Sequence, residues 1–176
     1  EIKSQEDANK TITSNVYDFK GRQISQEVKG AAGYTSHRVE WRYDLAENGL
    51  GQVSREVKSD LAGATEFMRQ VGYDTFGRAS LTTTTFKGTA ANDESHYQKV
   101  TYDQFGRVYQ TFDAARTGPQ FTYNGVQNHY NDYGYLFKVQ DAANSGSLPF
   151  YTVKAMDARG NVTHMTYGSG EDVKYL

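Results

Sequence analysis

A carboxylate recurs along the chain at one fixed place in a repeated pattern, and it is the first residue type that could carry chemistry. The five copies are Asp18, Asp44, Asp74, Asp103 and Asp157. Two carboxylates about 5 to 10 Å apart can hydrolyse a glycosidic bond. An Asp that precedes a glycine also has a simpler use, because its side chain accepts a backbone N–H two residues further on and starts a turn. A catalytic pair has no reason to recur in every repeat, so we predict turn capping, no catalytic residue and no enzymatic activity.

Other reactive or metal-binding groups are sparse. The chain has no Cys, which excludes a disulfide, a thiol nucleophile and an iron–sulfur cluster. Its four His residues stand apart, without a second His at the spacing of a zinc site. The oxygen-rich segments 131–132 and 157–161 lack the alternating ligands and the closing bidentate acid of a calcium loop. We therefore predict no metal and no cofactor.

Aromatic side chains offer a binding chemistry of their own. The chain contains 14 Tyr, 9 Phe and 1 Trp. Trp41 and Tyr43 are the candidates for stacking against a sugar, because residues two apart share one face of a strand. Aromatic residues at alternate strand positions also pack in cores. A glycan is therefore one predicted partner, with core packing as the alternative interpretation.

Charge and hydropathy bound the remaining partners. Lys and Arg number 19 and Asp and Glu number 21, which gives a formal net charge of −2. A nucleic-acid-binding surface needs a clustered basic excess, so no nucleic-acid partner is expected. No run approaches the roughly 18 apolar residues of a membrane-spanning helix, so no membrane span is expected. The chain starts at Glu1 without Met, from which we expect a fragment of a larger protein.

The elements that would position these residues follow from an internal repeat. The pattern Tyr-Asp-x-x-Gly-Arg occupies residues 17–22, 73–78 and 102–107. Three weaker copies complete a single segment, residues 1–176, of about six repeats that start near 17, 43, 73, 102, 130 and 156. The motif residues are Tyr17, Asp18, Gly21, Arg22, Tyr43, Asp44, Gly51, Tyr73, Asp74, Gly77, Arg78, Tyr102, Asp103, Gly106, Arg107, Tyr130, Asn131, Gly134, Asp157 and Gly160.

A second glycine follows the motif glycine by 12 residues in four of the repeats. These second-turn glycines are Gly33, Gly63, Gly118 and Gly146. The Asp-x-x-Gly sequence suits a type I turn that ends with glycine in the left-handed position of a bulge. The Tyr before it suits the end of an incoming strand. Each repeat is therefore predicted to run strand, motif turn, strand, second turn.

The predicted fold is all-β, with repeated antiparallel hairpins in a long curved, spiralling sheet. Six repeats of two strands give about 12 strands, and at about 4.8 Å per strand the sheet would be roughly 55 Å wide. Sheets of that many strands curl, split or close, so a barrel or a two-layer sandwich is the alternative closure. A compact domain of 176 residues would bury roughly two-thirds of its unfolded surface.

The motif and its period resemble the YD-repeat, or Rhs-repeat, family. The resemblance covers about residues 10–170, with three full motifs and three degenerate ones. The family includes bacterial Rhs toxins, the B and C components of Tc toxins and animal teneurins, and its repeats form a sheet that spirals into a hollow shell. In the toxins this shell encloses a C-terminal effector. The chain departs from a whole toxin, since it has no recognisable Rhs core sequence with autoproteolytic residues and no room for an effector domain.

The resemblance implies a structural function. The expected function is a segment of a wall that encloses a toxin or effector domain, in a large secreted or cell-surface bacterial protein. The expected partners are neighbouring repeats of the parent chain and the enclosed effector. The alternative is an extracellular carbohydrate-binding or adhesion module. Because open sheet edges pair with other chains, self-association of the isolated segment is also expected.

Overall fold

A computed structural model describes residues 3–31, 36–88, 93–115 and 125–174, and within these ranges the chain forms β-strands and no helix. The strands are β1 (Ser4–Glu6), β2 (Ile12–Tyr17), β3 (Gln23–Lys29), β4 (His37–Tyr43), β5 (Val53–Ser59), β6 (Thr65–Tyr73), β7 (Ala79–Phe86), β8 (Glu94–Tyr102), β9 (Val108–Ala115), β10 (Gly125–Tyr130), β11 (Leu136–Asp141), β12 (Tyr151–Met156), β13 (Val162–Tyr167) and β14 (Asp172–Lys174). They form one open antiparallel sheet in sequence order. The all-β hairpin prediction is confirmed, and the described strands do not close into a barrel.

Each repeat contributes two strands to the sheet. The motif Tyr is the last residue of β2, β4, β6, β8 and β10, and Met156 ends β12 in the same place. The next strand always begins two residues after the motif glycine, as Val53 follows Gly51 and Val108 follows Gly106. The two three-residue strands β1 and β14 lie outside the six repeats, and they raise the expected 12 strands to 14.

The motif turns have the predicted local chemistry. In the third repeat the Asp74 N–H donates to the Arg78 carbonyl at 2.9 Å, and the Gly77 N–H donates to the Asp74 carbonyl at 2.9 Å. Gly77 has a φ of 74°, in the left-handed region that a side chain disfavours. The strand register shifts beside this turn, between Gly72 and Tyr73, as the bulge requires. A local sequence of five residues therefore determines the hairpin geometry.

The second turns are less uniform than the first. Gly63 repeats the motif chemistry, with a φ of 95° and its N–H donating to the Asp60 carbonyl at 3.2 Å. Gly146 lies in a turn without a left-handed φ, where the Ser147 N–H donates to the Asn144 carbonyl at 3.1 Å. Gly33 and Gly118 lie outside the described residues.

Contacts divide the chain into an amino-terminal part, residues 1–97, and a carboxy-terminal part, residues 98–176. The amino-terminal part holds β1 to β7 and the first half of β8. Its cross-strand packing includes Phe67 against Phe86, with ring centroids 5.6 Å apart. Among its described residues, the buried side chains are polar, namely Ser54, Ser59 and Thr85. Cross-strand aromatic pairs such as Phe67 and Phe86 stabilise a sheet without a deep apolar core.

The carboxy-terminal part holds the end of β8 and β9 to β14. Tyr151 and Tyr167 pack across β12 and β13 with ring centroids 6.1 Å apart. Among the described residues of the whole chain, Met165 is the one buried hydrophobic side chain, and the polar Gln140 is also buried in this part. Most strand residues in the described ranges are half-buried, so the described part of the chain has no deep apolar core.

Candidate functional site: the motif turns and the forks between repeats

The repeated aspartates are all engaged within their own turns. Asp74 Oδ1 accepts the N–H groups of Phe76 and Arg78 at 2.9 and 3.0 Å, and Asp74 Oδ2 accepts the Arg78 Nε–H at 2.8 Å. The hydrogen bond from Arg78 is the largest cause of a lowered pKa for Asp74. Asn161 takes the place of the arginine in the sixth repeat and lowers the pKa of Asp157. A general acid for glycoside cleavage needs a raised pKa, whereas these carboxyls are held ionised.

One motif arginine, Arg22, extends this arrangement to the following repeat. Arg22 donates from Nε to Asp18 Oδ2 at 2.7 Å and from Nη1 to Asp44 Oδ2 at 2.8 Å. It therefore joins the turn aspartates of the first and second repeats. Arg107 pairs with Asp103 of its own turn at 2.7 Å. The sequence shows the Asp and the Arg but not this choice of partners, which depends on how neighbouring turns are placed.

The strands that join one repeat to the next separate before they reach the motif turns, and we call each such opening a fork. The ladder between β3 and β4 ends at Ser25, four residues after its motif glycine. The ladders of β5 with β6, β9 with β10 and β11 with β12 end at the same offset, at Arg55, Gln110 and Lys138. The repeat therefore places an opening of similar depth at each of these four junctions.

A motif tyrosine closes three of the four forks. The Tyr43 hydroxyl donates to the Gln23 carbonyl at 2.9 Å, and the Tyr73 hydroxyl donates to the Val53 carbonyl at 2.7 Å. In the carboxy-terminal part, the Tyr130 hydroxyl donates to a carbonyl of β9 at 2.8 Å. In each case the acceptor lies two residues after the motif glycine of the preceding repeat. The tyrosine hydroxyl thus bonds a carbonyl that the shortened ladder does not reach.

Cationic groups cover the tyrosine rings in two of these forks. The Arg22 guanidinium lies 4.3 Å from the centroid of the Tyr43 ring, and the Arg107 guanidinium lies 4.2 Å from that of Tyr130. Such stacking is attractive because the ring face is negative. We call the motif tyrosine together with the carbonyl that its hydroxyl bonds the clamp, and in these two forks an arginine also covers the ring. The repeat starting at 43 has no arginine after its glycine, and there Gly49 packs against the Tyr73 ring instead.

The fork between the fifth and sixth repeats has no tyrosine clamp. Tyr135 follows Gly134 where the three full motifs have arginine, and Met156 ends β12 where the other repeats have tyrosine. The Tyr135 ring lies against Gly160 of the next turn, so that a Cβ added there would be 2.7 Å from Cζ. A groove of about 580 Å³ opens here between β11 and β12. Both replacements are visible in the sequence, but their effect needs the fork geometry.

The tips of the motif turns expose large apolar side chains. Phe19 is 94% exposed, Phe76 is 80% exposed and Tyr133 is 87% exposed. These residues occupy the variable positions of Asp-x-x-Gly, which the motif itself does not specify. Trp41 is half-buried, and Tyr43 already carries the Arg22 guanidinium on its ring. Carbohydrate stacking by Trp41 and Tyr43 stays a prediction, and the most exposed rings lie elsewhere.

No group of three or more His, Asp or Glu residues that could hold a metal ion occurs in the described part of the chain. Likewise, nowhere in the described ranges is there a helix with the length and apolar character needed to cross a bilayer. The motif residues serve turns and clamps. A scan against protein-family models found no match to this chain, and neither did a search of curated proteins.

Proposed function

We propose that this chain is a structural segment of a β-repeat wall, in a large secreted bacterial protein of the YD-repeat type, and that the wall encloses a toxin or effector domain. The observation that supports this function is the clamp, which couples neighbouring repeats at three junctions of the described chain instead of forming a site of its own. Tyr43, Tyr73 and Tyr130 each bond a carbonyl of the preceding repeat. Repeats coupled in this way suit a continuous barrier.

The open edges of the sheet suit the same function. The strand β1 is exposed at every residue, and β14 is exposed at two of its three. Unpaired strand edges are templates for further strands. In the proposed wall, preceding and following repeats of the parent chain pair with these edges. The isolated segment would then self-associate through them.

The test uses the parent protein. Its reading frame should continue with more repeats and then a separate C-terminal domain, and limited proteolysis should leave that domain uncut in the folded protein. Tyr73→Ala removes a clamp and should make the domain cleavable, whereas Tyr133→Ala, at an exposed turn tip, should not. A C-terminal domain that is cut equally fast in the wild type and in both variants would contradict enclosure.

A carbohydrate-binding or adhesion function is the competing proposal. Its candidate residues are Trp41 and Tyr43, and a glycan array on the same protein tests it. Saturable binding of a glycan that Trp41→Ala abolishes would favour the adhesion function over the wall function. No hit would leave the wall as the better explanation of the clamps.

A further inference from the structure

We propose that the groove between the fifth and sixth repeats binds a tyrosine side chain carried by another, extended polypeptide segment. We call it the fork groove, and it is lined chiefly by Tyr133, Tyr135, Phe137, Lys154 and Met156. The groove would do this whether or not the chain encloses an effector. The ligand class is taken from what the same molecule places in its equivalent forks.

Three forks of this chain show what a fork of this depth accommodates. In each, a phenol ring lies between separating strands and its hydroxyl reaches a backbone carbonyl at 2.7 to 2.9 Å. Arg22 or Arg107 covers the ring in two of them, and Gly49 packs against it in the third. The recurring occupant is thus a half-buried phenol with one polar contact and one covered face.

Two local changes distinguish the fork between β11 and β12 from the other three. Met156 stands in the tyrosine position, so this position supplies neither a ring nor a hydroxyl to the fork. The ladder ends at Thr152, four residues before Met156, whereas the equivalent ladder between β9 and β10 ends at Gln127, three residues before Tyr130. The register of β12 with β13 shifts between Val153 and Ala155, which accommodates the additional residue.

The lining of the fork groove matches a phenol. Tyr135 takes the arginine position, and its ring is 46% exposed, so an incoming ring can pack against it as an aromatic pair. Phe137 and Met156 supply further apolar surface, and methionine adapts its shape to a ring. A volume of about 580 Å³ falls within the usual range of ligand sites. The expected acceptor for the hydroxyl is the carbonyl of Leu136, two residues after Gly134.

A polypeptide is the expected carrier because the groove is open along the diverging strands. In the other forks the phenol arrives at the end of a strand, from a chain running beside the carbonyl that it bonds. Tyr133 at the rim is 87% exposed, which leaves the entrance accessible. Lys154 and Asp157 flank the groove with opposite charges that balance each other. The groove therefore has no net charge that would require a charged ligand, and a neutral side chain such as tyrosine suits it.

The test is a nuclear magnetic resonance titration of the ¹⁵N-labelled chain with blocked Gly-Tyr-Gly, Gly-Phe-Gly and Gly-Ala-Gly tripeptides. The tyrosine peptide should give saturable shifts of the Phe137, Lys154 and Met156 amides. The phenylalanine peptide should bind about fivefold more weakly, because it lacks one hydrogen bond. The alanine peptide should give none. Met156→Tyr should abolish the binding by supplying the ring within the chain, and Met156→Leu, the matched control, should retain it.

Several outcomes would overturn the proposal. These are no saturable shift in the wild type, equal shifts from the tyrosine and alanine peptides, or equal affinity in Met156→Tyr and Met156→Leu. Larger shifts at these amides with N-acetylglucosamine would instead assign the groove to a sugar. If Met156→Tyr is unfolded, as loss of its dispersed spectrum would show, the variant Tyr135→Ala tests the site instead. That variant removes the covering ring, and an unchanged affinity for the tyrosine peptide would count against the site.

Discussion

Tyr73→Phe should destabilise the chain by about 1 kcal/mol. The substitution keeps the ring that packs against Gly49 and removes only the hydroxyl that donates to the Val53 carbonyl at 2.7 Å. An intramolecular hydrogen bond contributes about 0.5–1.5 kcal/mol net, and the half-buried carbonyl is left without this donor. For a chain of this size the loss corresponds to a fall in thermal midpoint of about 2–4 °C. Urea unfolding followed by circular dichroism measures it.

The control is Tyr133→Phe, which removes a hydroxyl from a side chain that is 87% exposed. It should change the unfolding free energy by less than a few tenths of a kcal/mol, as exposed substitutions do. The variants Tyr43→Phe and Tyr130→Phe should resemble Tyr73→Phe, because their hydroxyls make equivalent bonds. If Tyr73→Phe and Tyr133→Phe were equally stable, the clamp would have no energetic meaning.

The same tyrosine gives the unfolding a dependence on alkaline pH. Burial disfavours the phenolate and raises the pKa of Tyr73. An unfolded tyrosine ionises near pH 10, so the unfolded chain releases its proton first. The stability from the neutral phenol is therefore complete below about pH 10 and is lost as the pH rises through the folded value. Tyr73→Phe should lose less stability than the wild type on going from neutral to strongly alkaline pH.

Three further predictions concern the turns. Gly160→Ala should cost more than Gly51→Ala in urea unfolding. Both have φ near 80° and share a backbone penalty of about 1 kcal/mol, but only at Gly160 would the new Cβ clash, 2.7 Å from Tyr135 Cζ. Lys10 has a left-handed φ of 65°, which strains a residue that has a side chain. Lys10→Gly relieves this strain and should slow hydrogen exchange of the amides in the hairpin of β1 and β2. Unchanged exchange rates would show that Lys10 is not strained. Acid titration should destabilise the fold below about pH 4. The pKa of Asp74 is lowered in the folded chain, so the stability that its carboxylate contributes is complete above the unfolded pKa and is lost as the pH falls through the folded pKa. Asp74→Asn should make the unfolding free energy depend less on pH in this range.

The hairpins could be predicted from the sequence because their chemistry is local. In Asp-x-x-Gly the capping side chain, the turn and the left-handed residue lie within five positions, so a pattern suffices. The same turn occurs at Asp7 to Lys10, where the Lys10 N–H donates to the Asp7 carbonyl at 3.0 Å. The pattern missed that turn because lysine holds the glycine position. The repeat at 43 was recognised, but Asp44 and Asn48 both take left-handed φ values that the insertion did not reveal.

The clamps could not be predicted, because their partners lie on different repeats. Tyr43 and the carbonyl of Gln23 are 20 residues apart, and they meet only because the ladder between β3 and β4 ends at Ser25. The sequence indicated that the tyrosine ends a strand and shares a half-buried face. It gave no information on where the ladder stops, which depends on the register of whole strands.

The clamp has a direction, and this direction governs how such a chain can change in length. In the three clamped forks, one repeat provides a carbonyl on its second strand and the next repeat provides a phenol at the end of its first strand, as Val53 and Tyr73 do. Repeats therefore join head to tail in one sense only. Duplication or loss of a complete repeat brings matching ends together and leaves the other junctions intact. Loss of a single strand would carry every later turn to the opposite rim, so variation in copy number should proceed by whole periods.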